Sequence, residues 1–223
     1  MRTHSMTLFF AKPCFVALAI LGFLSHNTAN AQRQQRFKAG LIVGVTASQI
    51  DGDASAGYHK VGLQGGLRGI VVLKPRQEAS IEFLFSQRGS RNQPDYPPTF
   101  STTLNFIEVP LQWHYRDWAA NGDTDNPDFF RINFNIGLSY SRLLSFTDDS
   151  DGSIAGITPA LPHLNKDSFC FLVGASFFAS KHIGFTFRYH RAFNALYSPG
   201  KPGTNFANSL NEHYLAFQTM YVF

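Results

Sequence analysis

An eight-stranded antiparallel up-and-down β-barrel is the fold this sequence predicts, and three observations predict it. Eight segments alternate apolar and polar residues with period two. Each runs to roughly ten residues or more, whereas strands of soluble proteins average about five or six. The connectors between them alternate between short and long.

The first strand is "FKAGLIVGVTASQI" (37–50), with Phe37, Ala39, Leu41, Val43 and Val45 on one side and Lys38, Gly40, Gly44, Thr46 and Ser48 on the other. In "KVGLQGGLRGIVVL" (60–73), Val61, Leu63, Leu67 and Val71 oppose Lys60, Gln64 and Arg68. In "ASIEFLFSQRG" (79–89), Ile81, Phe83 and Phe85 oppose Ser80, Glu82, Ser86 and Arg88. The fourth, "NFIEVPLQWHYRDW" (105–118), sets Ile107, Val109, Leu111, Trp113 and Tyr115 against Glu108, Gln112, His114 and Arg116. Pro110 donates nothing to a ladder, so a bulge or a local break is expected there.

"FRINFNIGLSYSRLL" (130–144) is the cleanest pattern, Phe130 to Tyr140 alternating with Arg131, Asn133, Asn135, Gly137, Ser139 and Ser141. "SFCFLVGASFFA" (168–179) and "IGFTFRYHRAF" (183–193) follow, the latter with Arg188 and His190 on its polar side. "EHYLAFQTMYVF" (212–223) closes the set, with Leu215, Phe217, Tyr221 and Phe223 sharing a face opposite Glu212. No helical-period segment of useful length lies among them.

Two barrels fit eight such strands. A soluble, lipocalin-like one turns apolar residues inward; a membrane barrel turns them toward lipid and keeps polar groups in the lumen. The polar face decides for the second. It is rich in Gly, Ser, Thr and Asn, which fit a narrow interior, and the 15% total charge is too little for a soluble surface. Ten or so tilted residues also match the bilayer. Tight connectors at 74–78 and 180–182 with long ones at 51–59, 90–102, 145–166 and 194–211 repeat the short-turn, long-loop asymmetry of outer-membrane barrels. The connector 119–128 falls on the short side but is of middling length. Trp113, Tyr115, Tyr140, Tyr189, Tyr221 and Phe223, near strand ends, read as interfacial girdles.

A charge enclosed in a narrow barrel must find a partner. The lumen is therefore expected to hold a structural polar network of Arg68, Glu82, Arg88, Glu108, His114, Arg116, Arg131, Arg188 and His190. Glu82 and Glu108 are the expected counter-ions of Arg68, Arg88 or Arg131.

The first 31 residues read as a secretory signal: basic Arg2, His4 and Lys12, the apolar "CFVALAILGF", then "ANA" before Gln32. The barrel domain is then 32–223. Cleavage would leave 192 residues with 17 basic against 15 acidic side chains, a net charge of +2 that makes no case for a nucleic-acid partner. Cys14 would leave with the signal, making Cys170 a lone packed thiol.

The segments "FKAGLIVGVTASQIDGD", "KVGLQGGLRGIVVL", "ASIEFLFSQRGS" with its Gln-basic-Gly turn, "LNFIEVPLQWHY" and the terminal Phe223 together resemble the PorT-like outer-membrane β-barrel family of Bacteroidota. Phe106 stands where that family's signature has Tyr. The resemblance spans nearly the whole mature chain. It implies an eight-stranded barrel in the Gram-negative outer membrane; one branch of the family is linked to protein secretion and gliding.

No motif for catalysis, zinc or nucleotides is present. "GLQGG" (62–66) lacks the helix and the Lys-Ser/Thr of a phosphate loop and reads as small residues inside a barrel. "DDSDG" (148–152) lacks the acid that closes a calcium loop. His114 and His190 could serve as a base or ligand beside Glu108 or Glu82, but spacing puts no Ser or Asp next to them. The expectation is a non-enzymatic barrel without cofactor, its lumen filled by side chains. It would act in the cell envelope through its long loops, against membrane lipid, lipopolysaccharide or an envelope protein. A narrow anion channel, a membrane-embedded lipid- or peptide-modifying enzyme and a secretion accessory are the alternatives.

Overall fold

The computed structural model describes residues 36–53, 55–92, 100–123, 127–149, 157–200, 202 and 206–223. The signal segment lies outside them. Eight strands form in chain order: β1 (Phe37–Asp51), β2 (Lys60–Lys74), β3 (Gln77–Arg91), β4 (Ser101–Ala119), β5 (Phe130–Asp148), β6 (Asp167–Phe178), β7 (Ile183–Ala192) and β8 (Asn211–Val222). Every neighbour is antiparallel, and β8 pairs back onto β1 through Leu41↔Tyr221 and Val45↔Phe217, closing the barrel.

The alternation is what closes it. The outer face carries Leu67, Leu111, Phe134, Ile136 and Leu138, each more than half exposed, whereas Arg88, Glu82, Glu108, His114, Arg188 and His190 on the inner face have no accessible surface at all. Water would make this outer belt untenable for a monomer; hydrocarbon makes it favourable. The apolar side of each strand faces out, as in a membrane barrel and opposite to a lipocalin, except at Phe130, expected outside but 5% exposed with the Arg116 guanidinium over its ring at 5.1 Å.

Both kinds of irregularity expected near Pro110 occur, at separate places. On the β3 side the ladder lapses between Ile81↔Leu111 and Leu84↔Glu108 without changing register, a local break opposite Pro110. The bulge lies on the β5 side, between Asn105 and Phe106, where the register slips from Ser145 to Leu143.

The glycines of "GLQGG" have a packing reason. Inward-facing Thr46 and Ser48 of β1 reach over β2 to the backbone of β3: Thr46 Oγ1 donates to Gln87 O at 2.5 Å and Ser48 Oγ to Gly89 O at 3.0 Å. Gly62 lies beneath this bridge, and a Cβ there would overlap the Gln87 carbonyl.

Gly89 is the other special position. The expected Gln-basic-Gly turn is instead strand: β3 continues to Arg91, and Gly89 bends it at φ +148°. The Gly89 N–H donates to Ser48 Oγ at 2.9 Å, and a Cβ would overlap the Thr102 carbonyl. Gly89→Ala should therefore cost about 1–3 kcal/mol, read as a lower urea midpoint for the heat-modifiable band in vesicles.

The lumen departs from the uniformly polar interior that alternation suggests. Inward-facing Ile50, Leu104, Phe106 and Leu143 form an apolar cluster at the long-loop end with Ile157, Ala160, Leu161, Leu164, Leu196, Tyr197 and Leu210 from the connectors. A second cluster, Ile42, Ile70, Leu84, Phe178, Met220 and Val222 with Phe129 against it, fills the short-turn end. Part of the upper cluster belongs to a short 3₁₀ helix, Thr158–His163, in the β5–β6 connector. Its two short turns leave no periodicity to read.

Candidate functional site

Between the two apolar clusters lies the polar network. Glu108 is its hub. Its Oε1 accepts from Ser139 Oγ and from Tyr214 OH, both at 2.7 Å. Its Oε2 accepts from Gln64 Nε2 at 3.2 Å and from Arg88 Nη2. Arg88 also reaches Glu212 at 3.4 Å, Ser86 at 3.1 Å and Ser141 at 3.2 Å. Its guanidinium lies over the Tyr214 ring at 4.0 Å and the Phe106 ring at 4.8 Å. His190 stacks on Tyr214 with ring centroids 4.3 Å apart and holds its hydroxyl at 2.7 Å. Both contacts of the Tyr214 hydroxyl are satisfied when His190 carries its proton on Nδ1, so that Tyr214 OH is free to donate to Glu108.

A second knot centres on Glu82. Arg188 grips it with two bonds of 2.7 and 2.8 Å, and Arg68 Nε stands 3.7 Å away. This is the fork geometry that suits arginine to an enclosed carboxylate. Arg68 Nη2 donates to His114 Nε2 at 3.0 Å, and Ser80 Oγ meets the same nitrogen at 2.8 Å. A third pair, Arg116 with Glu78 at 2.6 Å, closes the short-turn end, where Arg116 also donates to Pro75 O.

The structure thus brings together eight of the nine residues expected in the network. Arg131 is the exception. It lies at the short-turn end, with its guanidinium over the Phe129 ring at 5.6 Å, while Glu82 and Glu108 are taken by Arg188, Arg68 and Arg88. Three ionisable members, Glu78, Glu212 and Tyr214, stand outside the expected set. Glu78 was assigned to a connector, but β3 begins at Gln77 and Glu78 points inward. Glu212 and Tyr214 complete the hub. Within the network the charges balance, with Arg68, Arg88, Arg116 and Arg188 against Glu78, Glu82, Glu108 and Glu212.

Ser80 beside His114 corrects the expectation that no serine adjoins a lumen histidine; the β3–β4 register (Ser80↔Gln112) puts it there. The pair lacks the third member of a nucleophilic triad. A guanidinium already occupies the lone pair a base would use, and both groups are buried. Cys170 is buried with its thiol 3.6 Å from Ser168 Oγ. Of "DDSDG", Asp148 accepts from Thr102 at 3.2 Å; residues 150–152 lie outside the described residues. Among the described residues, no three His, Cys, Asp or Glu side chains gather to hold a metal ion.

The long connectors are tied to the wall. His213 on β8 sits between Asp51 Oδ1 (3.1 Å) and Tyr58 OH (2.9 Å), pinning the β1–β2 connector. Gln49 Oε1 accepts from Gly57 N–H at 3.1 Å. His213→Ala should unfasten this connector while leaving the barrel folded. The check is faster amide exchange at Gly57 and His59 with unchanged heat-modifiability.

In the same connector, buried Asp53 accepts from Ser90 Oγ and from Ser55 N–H at 2.8 Å. Burial pushes its carboxyl above the ordinary carboxylate value, outweighing these bonds. A raised folded value means that protonation favours the closed connector. The protection of Ser55 should be greatest at low pH and fall as pH rises through the shifted value.

A family model, outer membrane protein beta-barrel domain, matches residues 29–198. Among solved structures, the attachment invasion locus protein Ail of Yersinia pestis is 11% identical, with TM-score 0.47, over 85% of this chain and 100% of that one. Neisserial surface protein A is 11% identical, with TM-score 0.44, over 83% and 96%. The outer membrane protein OprG of Pseudomonas aeruginosa is 12% identical, with TM-score 0.41, over 86% and 99%. No curated protein sequence matches.

Proposed function

We propose, from the premise that this chain belongs to the outer membrane protein beta-barrel domain family, that it is a non-enzymatic barrel with a closed lumen, acting in the cell envelope through its extracellular connectors. One observation carries the reading. The apolar cluster at the long-loop end is built jointly from inward wall residues and connector residues, so that Ile157, Leu161, Leu196 and Leu210 root the connectors in the lumen. Such a barrel anchors the described parts of its β5–β6 and β7–β8 connectors at its rim. Its surroundings are membrane lipid and lipopolysaccharide, and its partner is an envelope protein.

Within that family the PorT-like branch fits best. Its Glu-x-Pro signature falls on Glu108, the hub of the lumen, and on Pro110, where the β3–β4 ladder lapses. One branch of that family is linked to protein secretion and gliding, which makes a secretion accessory an alternative role. Export by a signal cleaved before Gln32 belongs to the same reading, and N-terminal sequencing of the mature protein checks it.

Planar-bilayer recording tests the closed lumen: no steady current is expected, and a stable open conductance would overturn it. Exchanging the connectors should abolish an envelope phenotype, whereas Ser80→Ala and His114→Ala should leave it intact. The Ser80–His114 contact of 2.8 Å is the one observation favouring an enzyme. Loss of a hydrolytic or acyl-transfer activity in those two variants would support that second reading.

A further inference from the structure

Strand β5 outruns its neighbour. Its last pair with β6 is Arg142↔Asp167, yet it continues to Asp148. Just past that pair, Leu143 N–H still donates to Lys166 O at 2.7 Å. Beyond it, Leu144 is 57% and Phe146 44% exposed. Beside them lies a cavity of about 330 Å³, walled on its other side by Leu161 and Leu164 of the β5–β6 connector and edged by exposed Lys166. That volume falls within the range of small-molecule sites.

This recess differs from the lipid-facing belt. On the outer surface below it, Asp167 takes two bonds from Arg142 (2.8 and 3.0 Å) and one from Tyr140 OH (2.7 Å). On the β4 side, Asn105 Nδ2 donates to Ser145 Oγ at 3.0 Å. Charged and amide groups of this kind belong at the level of lipid headgroups, not in hydrocarbon. Leu144 and Phe146 follow Arg142 toward the extracellular end, where the acyl chains of the bilayer do not cover them. An apolar recess above the headgroup belt requires a different occupant.

We propose that the recess binds an amphiphile with a single acyl chain and an anionic head, carboxylate or phosphate monoester. The chain lies along Leu143, Leu144, Phe146, Leu161 and Leu164, and the head meets Lys166. Charge complementarity selects the head: Lys166 borders the cavity, while the adjacent carboxylate of Asp167 is already held by Arg142 and Tyr140. Size selects the chain, since a recess of this volume takes one acyl chain and not the several of a phospholipid or lipopolysaccharide. The site shares Leu143, Leu161 and Leu164 with the upper apolar cluster and no residue with the polar network.

The test uses the full barrel in phosphatidylcholine nanodiscs with methyl NMR and spin-labelled dodecanoate, dodecyl phosphate and dodecanol as probes. Both anionic probes should broaden the Leu161 and Leu164 methyls saturably, at concentrations below those that broaden Leu111 and Leu138 in the bilayer belt. Lys166→Glu, an exposed substitution, should weaken them about tenfold and leave dodecanol unchanged. Each methylene removed from the chain should weaken binding about fourfold. Unsaturable broadening spread evenly over the outer face would mean bilayer partitioning only and would overturn the proposal. Absence of broadening at Leu161 and Leu164, as when a protein segment fills the recess, would overturn it too. Binding that is indifferent to Lys166→Glu would refute the anionic head.

Discussion

Replacing Arg88 with alanine is expected to cost about 3–5 kcal/mol, the usual penalty for stripping one partner from an enclosed ion pair. Arg88 has no accessible surface, and it neutralises both Glu108 and Glu212. Its removal also takes the cation from above Tyr214 and Phe106. Two carboxylates would then face each other between apolar clusters that keep water out. The measurement is urea unfolding in lipid vesicles, followed by the mobility difference between boiled and unboiled samples. Arg88→Met combined with Glu108→Leu and Glu212→Gln should recover a large part of the loss, because the cost comes from the uncompensated charges. If the triple variant were as unstable as Arg88→Ala, the network would matter for its shape and not for its charge.

Leu111→Arg is the second large effect, at about 2–4 kcal/mol for an arginine facing mid-bilayer. Leu111 is 61% exposed on the outer face, midway along the apolar row from Ile107 to Tyr115, and it pairs with Ile81 and Leu138. Val61→Arg, on a side chain as exposed but at the long-loop end of β2, should cost about 0–1 kcal/mol, since the penalty fades toward the interface. Equal costs at the two positions, measured by the same vesicle unfolding, would argue that no hydrocarbon surrounds the belt.

The strands were legible in the sequence because both of their faces are extreme. Phe134, Ile136 and Leu138 alternate with Asn135, Gly137 and Ser139 so strictly that no other element accommodates them. What alternation hides is the tiering of the lumen. Ile42, Ile50 and Leu104 are apolar at inward positions, and on paper they only look like interruptions of the pattern. Their reason is three-dimensional: a barrel end needs a cap. Much of the polar network was legible from charge parity, as were the Arg68–Glu82 and Arg88–Glu108 pairs, but the Arg188–Glu82 fork and the Arg88–Glu212 and Arg116–Glu78 pairs were not. Which arginine meets which carboxylate depends on the stagger between strands, fixed by turns such as Pro75–Arg76 that cannot be placed to the residue beforehand. Arg131 shows this, its guanidinium lying over Phe129 at the short-turn end, away from both expected carboxylates. Ser80 and His114 show the converse: they lie 34 residues apart in the chain and 2.8 Å apart in the fold.

The side of the wall that the large apolar residues occupy decides everything else, and single-tryptophan quenching by bromolipids tests it most directly. With Trp113 and Trp118 changed to Phe, Phe134→Trp should place an indole among acyl chains and Phe106→Trp should place one inside the lumen. Bilayers of lipids brominated at graded depths should quench the first strongly and the second hardly at all, with acrylamide failing to reach the second. Strong quenching at position 106 with none at 134 would contradict the orientation of every strand.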